Sequence, residues 1–359
     1  MALIAALDLP ANPSSPHALG ERAADIVDRA RRSVAELVGC GAAELTFTSG
    51  ATEANNIAIV GGARAALRTT ERRRIVVSAV EHRSVLEPAA ALASLGFDVV
   101  LASVDAGGRV NMGELDRLVD ERCWLVSVMT VNNETGVVQP VSEVTALARN
   151  RGALVHTDSA QALGKIHVDL EGWDVDYASL SAHKVYGPVG VGALYVAAGA
   201  PVPDALQAGG GQQAGRRPGT EPVALIAGFG AAAAVASRRL ASDAAAADRR
   251  TGLFLDELSR RQVRWWRTTG GAPTVPGGMS LSIEGCDGDE IATRLQNSVY
   301  VSTGSACSSG QISTSHVLAA MGMDRESAAS VVRVMLGRYL TDEEVVRAAE
   351  LFSSAARSC

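Results

Sequence analysis

Leu180-Ser181-Ala182-His183-Lys184-Val185-Tyr186-Gly187-Pro188 sets a single lysine between two apolar runs. Trp173 to Leu180 leads into it, and Val189 to Val196 behind it reads as another strand. A lysine between two strands sits at a strand mouth, where open α/β sheets place ligands. One use for such a lysine is a Schiff base, which needs a positioned and partly desolvated amine. A solvated loop lysine is the bland alternative, and the segments on either side decide between the two.

Upstream, the chain repeats one grammar: strand, polar mouth, helix. A turn-rich segment, Asn12 to His17, leaves little room for ordered structure before it. A helix from Leu19 to Leu37 ends at Gly39. Leu45 to Thr48 is a short strand that delivers Ser49-Gly50-Ala51-Thr52-Glu53 to a helix from Ala54 to Leu67. Such a helix start offers backbone N–H groups and the Thr52 hydroxyl to a phosphate, or is an ordinary cap. It lacks the GxxxxGK[ST] pattern of a P-loop. Ile75 to Ser78 leads to His82. Phe97 to Ser103 is another strand, and Gly113 to Asp120 a short helix. Trp124 to Val131 ends in Asn132-Asn133 and is followed by a helix, Ser142 to Asn150. Ala153 to Val155 delivers His156-Thr157-Asp158-Ser159-Ala160-Gln161. This pattern predicts βαβ units and a mainly parallel sheet. Thr52, His82, Asn133, Asp158, Gln161 and Lys184 would then share one sheet edge.

Downstream, residues 201–222 read as a Gly/Pro-rich loop, and Val223 to Ala247 as a long alanine-rich helix joining two domains. Helix Leu253–Arg261, a β run from Gly278 to Ile283 and helix Asp289–Gln296 follow. Cys307 lies in a Gly/Ser setting, either as an inert thiol or as a nucleophile. Arg333 is either a carboxylate clamp or half of a surface ion pair.

Composition narrows the class. The 359 residues are 47% hydrophobic and 20% charged, enough for a large core and two domains. The net charge of −6 and the absence of a basic block argue against a nucleic-acid groove. No uncharged apolar stretch approaches ~18 residues, so no membrane span is expected. The segment Met1 to Leu9 has no basic start, so it does not read as a signal peptide. Five scattered cysteines, 40, 123, 286, 307 and 359, argue against a disulfide framework and a metal site. A reducing, cytoplasmic location follows.

An Asp, a Lys, a His and phosphate-binding turns on one sheet edge are what pyridoxal phosphate (PLP) needs. Lys184 would hold the aldehyde, and Asp158 would pair with the pyridine nitrogen. His82 would stack or shuttle a proton, and Thr52, Ser181 and His183 would take the phosphate.

In this order the motifs resemble the cysteine desulfurases of the NifS/IscS type, within the class V aminotransferase group of fold-type I PLP enzymes. The matching phrases are Asn12 to His17, Phe47 to Asn56, Val80-Glu81-His82, Val131 to Gly136, His156 to Gln161 and Ser181 to Lys184. They continue with Gly209 to Gln212, Gly219-Thr220, Gly304 to Cys307, Ser315 to Leu318 and Leu336 to Arg338. The resemblance implies a large PLP-binding domain, 12–245, with a mainly parallel seven-stranded sheet covered by helices on both faces. A smaller α+β C-terminal domain, 246–359 with part of segment 1–20, would carry the Cys307 loop. It also implies conversion of L-cysteine to L-alanine, with a persulfide left on Cys307 for a protein acceptor or scaffold. Iron–sulfur cluster assembly, tRNA thiolation and DNA phosphorothioation are the destinations it implies. Carried over, Lys184 matches the Schiff-base lysine, Asp158 the pyridine partner, Gln161 the donor to the ring hydroxyl and His82 the stacking acid/base. Asn133 matches a residue near cofactor and substrate, and Arg333 the arginine for the substrate carboxylate. Thr52, Ser181 and His183 match phosphate ligands, and Thr220 a phosphate contact from a neighbouring subunit, hence a homodimer. Neither a membrane nor a nucleic acid is implied as a direct partner.

Three places depart from the family pattern. Of its opening segment only Leu7-Asp8-Leu9-Pro10-Ala11 is recognisable, which implies a shortened active-site wall. Pro218 stands where Ser is usual, and Thr314 replaces Pro, with Val334-Met335 in place of a more polar pair. A differently specific PLP enzyme (a lyase or aminotransferase), an impaired one or a sulfur-relay partner is the alternative reading.

Overall fold

The computed structural model describes residues 1–9, 11–303 and 315–359; Pro10 and residues 304–314, Cys307 and Thr314 among them, lie outside the described residues. The chain forms two compact units. The larger comprises Met1–Ala102, Met112–Thr130 and Pro140–Leu240. The smaller comprises Ser103–Asn111, Val131–Gln139 and Ala241–Cys359.

The larger unit is built on seven strands: β1 (Leu45–Thr48), β2 (Arg74–Ser78), β3 (Asp98–Ala102), β4 (Cys123–Ser127), β5 (Leu154–Asp158), β6 (Tyr177–Ser181) and β7 (Gly192–Val196). Their order is β1-β7-β6-β5-β4-β2-β3. β7 runs antiparallel to both neighbours, and all other pairs are parallel. Strands β1, β4, β6 and β7 are buried along their whole length. Uninterrupted burial, in place of alternation, means that both faces of the sheet are covered. Six of the seven strands therefore end at the same edge, and the polar mouths open there.

Helices follow the strands as the grammar predicts. They are α1 (Ala2–Leu7), α2 (Ala18–Val38), α3 (Ala51–Asn56), α4 (Gly62–Thr69), α5 (Arg83–Ala91), α6 (Met112–Leu118) and α7 (Val141–Asn150). A π-helical turn, Ile57–Gly61, joins α3 to α4. His17 caps α2: its Nδ1 accepts from the Gly20 N–H at 3.1 Å. Ordered structure does precede that cap, contrary to the expectation for residues 1–11. Helix α1 buries Ala6 in a groove of small residues that includes Ala30, Ala227 and Gly230. A Cβ on Gly230 would lie 2.5 Å from the Ala30 Cα, so glycine is what permits this close approach.

Helix α8 runs unbroken from Val223 to Arg260 and takes in all but the last residue of the stretch expected as a separate helix, 253–261. By length and composition alone it could cross a membrane. Its apolar residues Ile226, Phe229, Ala233 and Ala236 are buried in protein, as in a core helix.

The smaller unit has four antiparallel strands, β8 (Trp265–Arg267), β9 (Gly278–Ile283), β10 (Ser302–Thr303) and β11 (Val331–Met335), in the order β10-β11-β9-β8. Among the described residues, the part of α8 from Ala241 onward completes it with α9 (Gly288–Leu295), α10 (His316–Ala320), α11 (Arg325–Ala329) and α12 (Asp342–Arg357). Phe254, Leu258, Leu281, Ile291, Val332 and Phe352 share its core. Its membership differs from the expected division. Residues 1–9 cluster with the larger unit through α1, whereas two excursions from the sheet, 103–111 and 131–139, join the smaller one. Backbone pairings shape these excursions: Val104 with Val110 in the first, and Val131 with Val138 and Val137 with Thr274 in the second.

Candidate active site

The ends of β1, β2, β5 and β6 bring Thr52, His82, Asp158 with Gln161, and Lys184 to one sheet edge. Thr52 is exposed in the first turn of α3. The turn before it lies close to the sheet because position 192 is glycine: a Cβ there would sit 2.6 Å from the Gly50 Cα. Glu53 accepts from the Ser49 N–H at 2.5 Å and from Arg217 Nε at 3.0 Å. Burial raises the Glu53 carboxyl, but these bonds outweigh it and leave it below its ordinary range. The Arg217 bond also ties down the loop that carries Thr220. Thr220 itself is exposed and, among the described residues, bonds to none of the others.

Asp158 is buried at the end of β5. Its Oδ1 accepts from the Ala160 N–H at 2.9 Å and its Oδ2 from Asn55 Nδ2 at 2.8 Å. The same Nδ2 lies 2.8 Å from Ser84 Oγ, and Ser84 Oγ lies 2.7 Å from His82 Nδ1. Asn55 Oδ1 is buried with no hydrogen-bond partner among the described residues. Burial, and then the Asp158 charge, pushes the nearby Glu81 carboxyl well up. Beneath the edge, His156 lies between Ser127 Oγ and Ser179 Oγ at 2.8 and 3.2 Å, and burial drives it down to about 3. That histidine is therefore a neutral part of the core.

Lys184 stands in a 3₁₀ turn, Ala182–Val185, that ends at Tyr186 in a left-handed conformation, φ +64°. Non-glycine residues held there store strain and cluster at functional sites. Ser181 Oγ and His183 Nδ1 are 2.9 Å apart. Burial lowers the exposed His183, and Lys184 and Lys165 lower it further.

Lys165 is the residue that the sequence reading missed. Its Nζ donates to the Gln161 carbonyl at 2.9 Å and to Gln161 Oε1 at 3.3 Å. An ammonium only donates, so Gln161 must turn its amide oxygen to it and keep its NH2 as the free donor. Desolvation, and then the Lys184 charge, lowers Lys165 to about 8. One signal was available in the sequence: among 33 basic residues only positions 165 and 184 are lysine. Arginine serves this chain wherever a fixed cation suffices, and lysine remains where an amine is needed.

Asn133 belongs to the smaller unit by its contacts. It lies in the 131–139 excursion of the smaller unit, beside Arg333 of β11, whose Nη1 donates to the Asn133 carbonyl at 2.6 Å. Arg333 has no acidic partner among the described residues, so the surface ion pair is not found. Asn133 Oδ1 is buried and has no partner there. Cys307, the expected thiol, lies outside the described residues.

With this geometry in hand, similarity to known proteins decides the family. A model of the Aminotransferase class-V family matches residues 6–347. The chain belongs to that family. The mitochondrial cysteine desulfurase of Drosophila melanogaster is 41% identical over 336 residues, covering 93% of this chain and 72% of its own. The solved structure of a NifS-like protein aligns with a TM-score of 0.92 at 34% identity, over 100% of this chain and 95% of that one. SspA, solved in complex with cysteine, aligns with a TM-score of 0.81 at 33% identity, over 93% of each chain. Class V aminotransferases and cysteine desulfurases are PLP-dependent. The residues present fit that cofactor. A carboxylate acceptor, an amide whose NH2 is left as a donor, a strand-mouth amine and the unpaired Asn55 Oδ1 all meet at one edge.

Proposed function

We infer that this chain is a PLP-dependent cysteine desulfurase that converts L-cysteine to L-alanine and leaves the sulfur as a persulfide on Cys307. The balance is simple: a substrate C–S bond breaks, the carbon takes a proton, and an enzyme thiol becomes S–SH. Bound PLP supplies an electron sink for the bonds at the substrate α-carbon. The chain's own residues do the rest. Lys184 would hold the cofactor covalently, Asp158 would pair with its pyridine nitrogen, and the Gln161 NH2 would donate to its ring oxygen. Thr52, Ser181 and His183 would take its phosphate, with Thr220 supplied by a second copy of the chain in a homodimer. His82 moves a proton. Arg333, with Asn133, takes the substrate carboxylate, and Cys307 takes the sulfur and hands it to a protein acceptor. A reducing, cytoplasmic setting suits a thiol that must stay free.

The observation that carries this reading is Arg333. It is half-buried beside the unpaired Asn133 Oδ1, and among the described residues it has no carboxylate of the protein's own. The test is alanine and sulfide release from L-cysteine by the PLP-loaded chain. Wild type is expected to release both and Cys307→Ala neither. Alanine release that survives Cys307→Ala would favour a differently specific PLP enzyme. Sedimentation of the wild type checks the dimer.

A further inference from the structure

Hydrogen-bond directions can be assigned outward from Asp158. A carboxylate only accepts, so Asn55 must turn its NH2 towards it, Nδ2 to Oδ2 at 2.8 Å. The second hydrogen of that NH2 goes to Ser84 Oγ at 2.8 Å. The Ser84 hydroxyl hydrogen is then free for His82 Nδ1, 2.7 Å away. The Ser84 backbone N–H donates to the same ring nitrogen at 3.1 Å, because His82 caps α5. Two donors aimed at Nδ1 require its lone pair.

We propose that Asn55 and Ser84 are positioning residues: they hold the neutral His82 ring with its proton on Nε2 and link that ring to the Asp158 carboxylate. A helix cap alone accounts for the backbone bond to Nδ1, but it has no need of Asn55. Asn55 is fully buried, and its one nitrogen is spent joining two groups that lie on different strand ends. The proton left on Nε2 is on the side of the ring away from α5, where it can be given up. A change in what Asp158 pairs with alters how strongly Asn55 donates, and Ser84 passes that change to the imidazole.

The proposal rests on the reading of His82 as the proton carrier, but its test does not depend on turnover. Long-range ¹H–¹⁵N spectra of the full chain, with and without PLP, report the tautomer, and His82→Gln assigns the signals. Wild type is expected to show a bare Nδ1 and a protonated Nε2, and PLP should shift the Nδ1 signal. Asn55→Leu, which removes the link without touching His82, should move Nδ1 and abolish the PLP-induced shift. Ser84→Ala keeps the backbone N–H on Nδ1 and so keeps the tautomer, but it should move the Nδ1 signal and abolish the PLP-induced shift, and Ser84→Thr should restore the wild-type pattern. In turnover, Ser84→Ala should lower kcat on the order of tenfold with KM for cysteine near wild type, as for other partners that orient a functional histidine. A proton on Nδ1 in wild type, or an Asn55→Leu spectrum equal to wild type, overturns the proposal. If Asn55→Leu does not fold, the Ser84→Ala and Ser84→Thr pair decides. The expected spectra together with no alanine release would leave the link intact and remove the desulfurase reading instead.

Discussion

At the sheet edge of the larger unit, Asp158, Asn55, Ser84 and His82 satisfy one another, and Lys165 fixes the Gln161 amide. In the smaller unit, Arg333 rests on a backbone carbonyl, and Asn133 Oδ1 is buried with no partner among the described residues. Apart from Asn55 Oδ1, buried without a partner among the described residues, the first region is wired internally, whereas the second leaves strong hydrogen-bonding groups unspent. A buried polar group without a partner costs free energy, so a fold keeps one where a ligand will satisfy it. The wired region suits a group that stays through every turnover, and the open corner suits one that comes and goes.

The largest break in this contrast is Lys184→Ala. Alanine release should fall to background and PLP should no longer be held covalently, which absorbance and intact mass would read. Next comes the open corner. Arg333→Ala removes a charge-assisted bond of about 1.5–3 kcal/mol, so KM for L-cysteine should rise roughly 10- to 100-fold. Arg333→Lys should fall between, because an ammonium lacks the planar fork. A KM equal to wild type in Arg333→Ala would remove Arg333 from the substrate site.

The smallest effect sharpens the wired side. Lys165→Met frees the Gln161 amide to flip and should cost about fivefold in kcat/KM, the worth of about one hydrogen bond. Its pH signature is separate from turnover. Lys165 is lowered from the ordinary 10.5 to about 8, so between these values the unfolded chain binds a proton that the folded chain does not. Wild-type stability should therefore gain a rising contribution from pH 8 to 10.5 that Lys165→Met lacks. Urea unfolding across that window is the measurement.

How much of this could be read beforehand depended on how local the cause was. The mouths at Thr52, His82, Asp158 and Lys184 were legible because each apolar run stops at a polar residue. The reversed direction of β7 was not stated by its apolar pattern, which is the same for either direction. Asn133 was placed on the same edge because it follows an apolar run. The strand ends at Ser127, and residues 131–139 cluster with the smaller unit. The pairing of Val137 with Thr274 holds that excursion, and a contact between such distant positions leaves no mark on local periodicity. Lys165 escaped because it lies in a turn, where hydrophobic spacing says nothing. The Asn55 link escaped because polar residues inside a helical pattern do not announce what they face.

The near absence of lysine also makes the molecule chemically addressable. A reagent that modifies primary amines finds only Lys165, Lys184 and the chain's N-terminus, so its stoichiometry would read the proposed cofactor lysine almost directly. PLP bound to Lys184 would hide one of these amines, and isotope-labelled methyl groups on the two lysines would give separate signals for the holding amine and its neighbour. Amine-directed cross-linkers or surface couplings would be drawn to the same two positions. Attachment chemistry for this protein is therefore better directed at thiols or at the terminus than at a lysine surface it does not have.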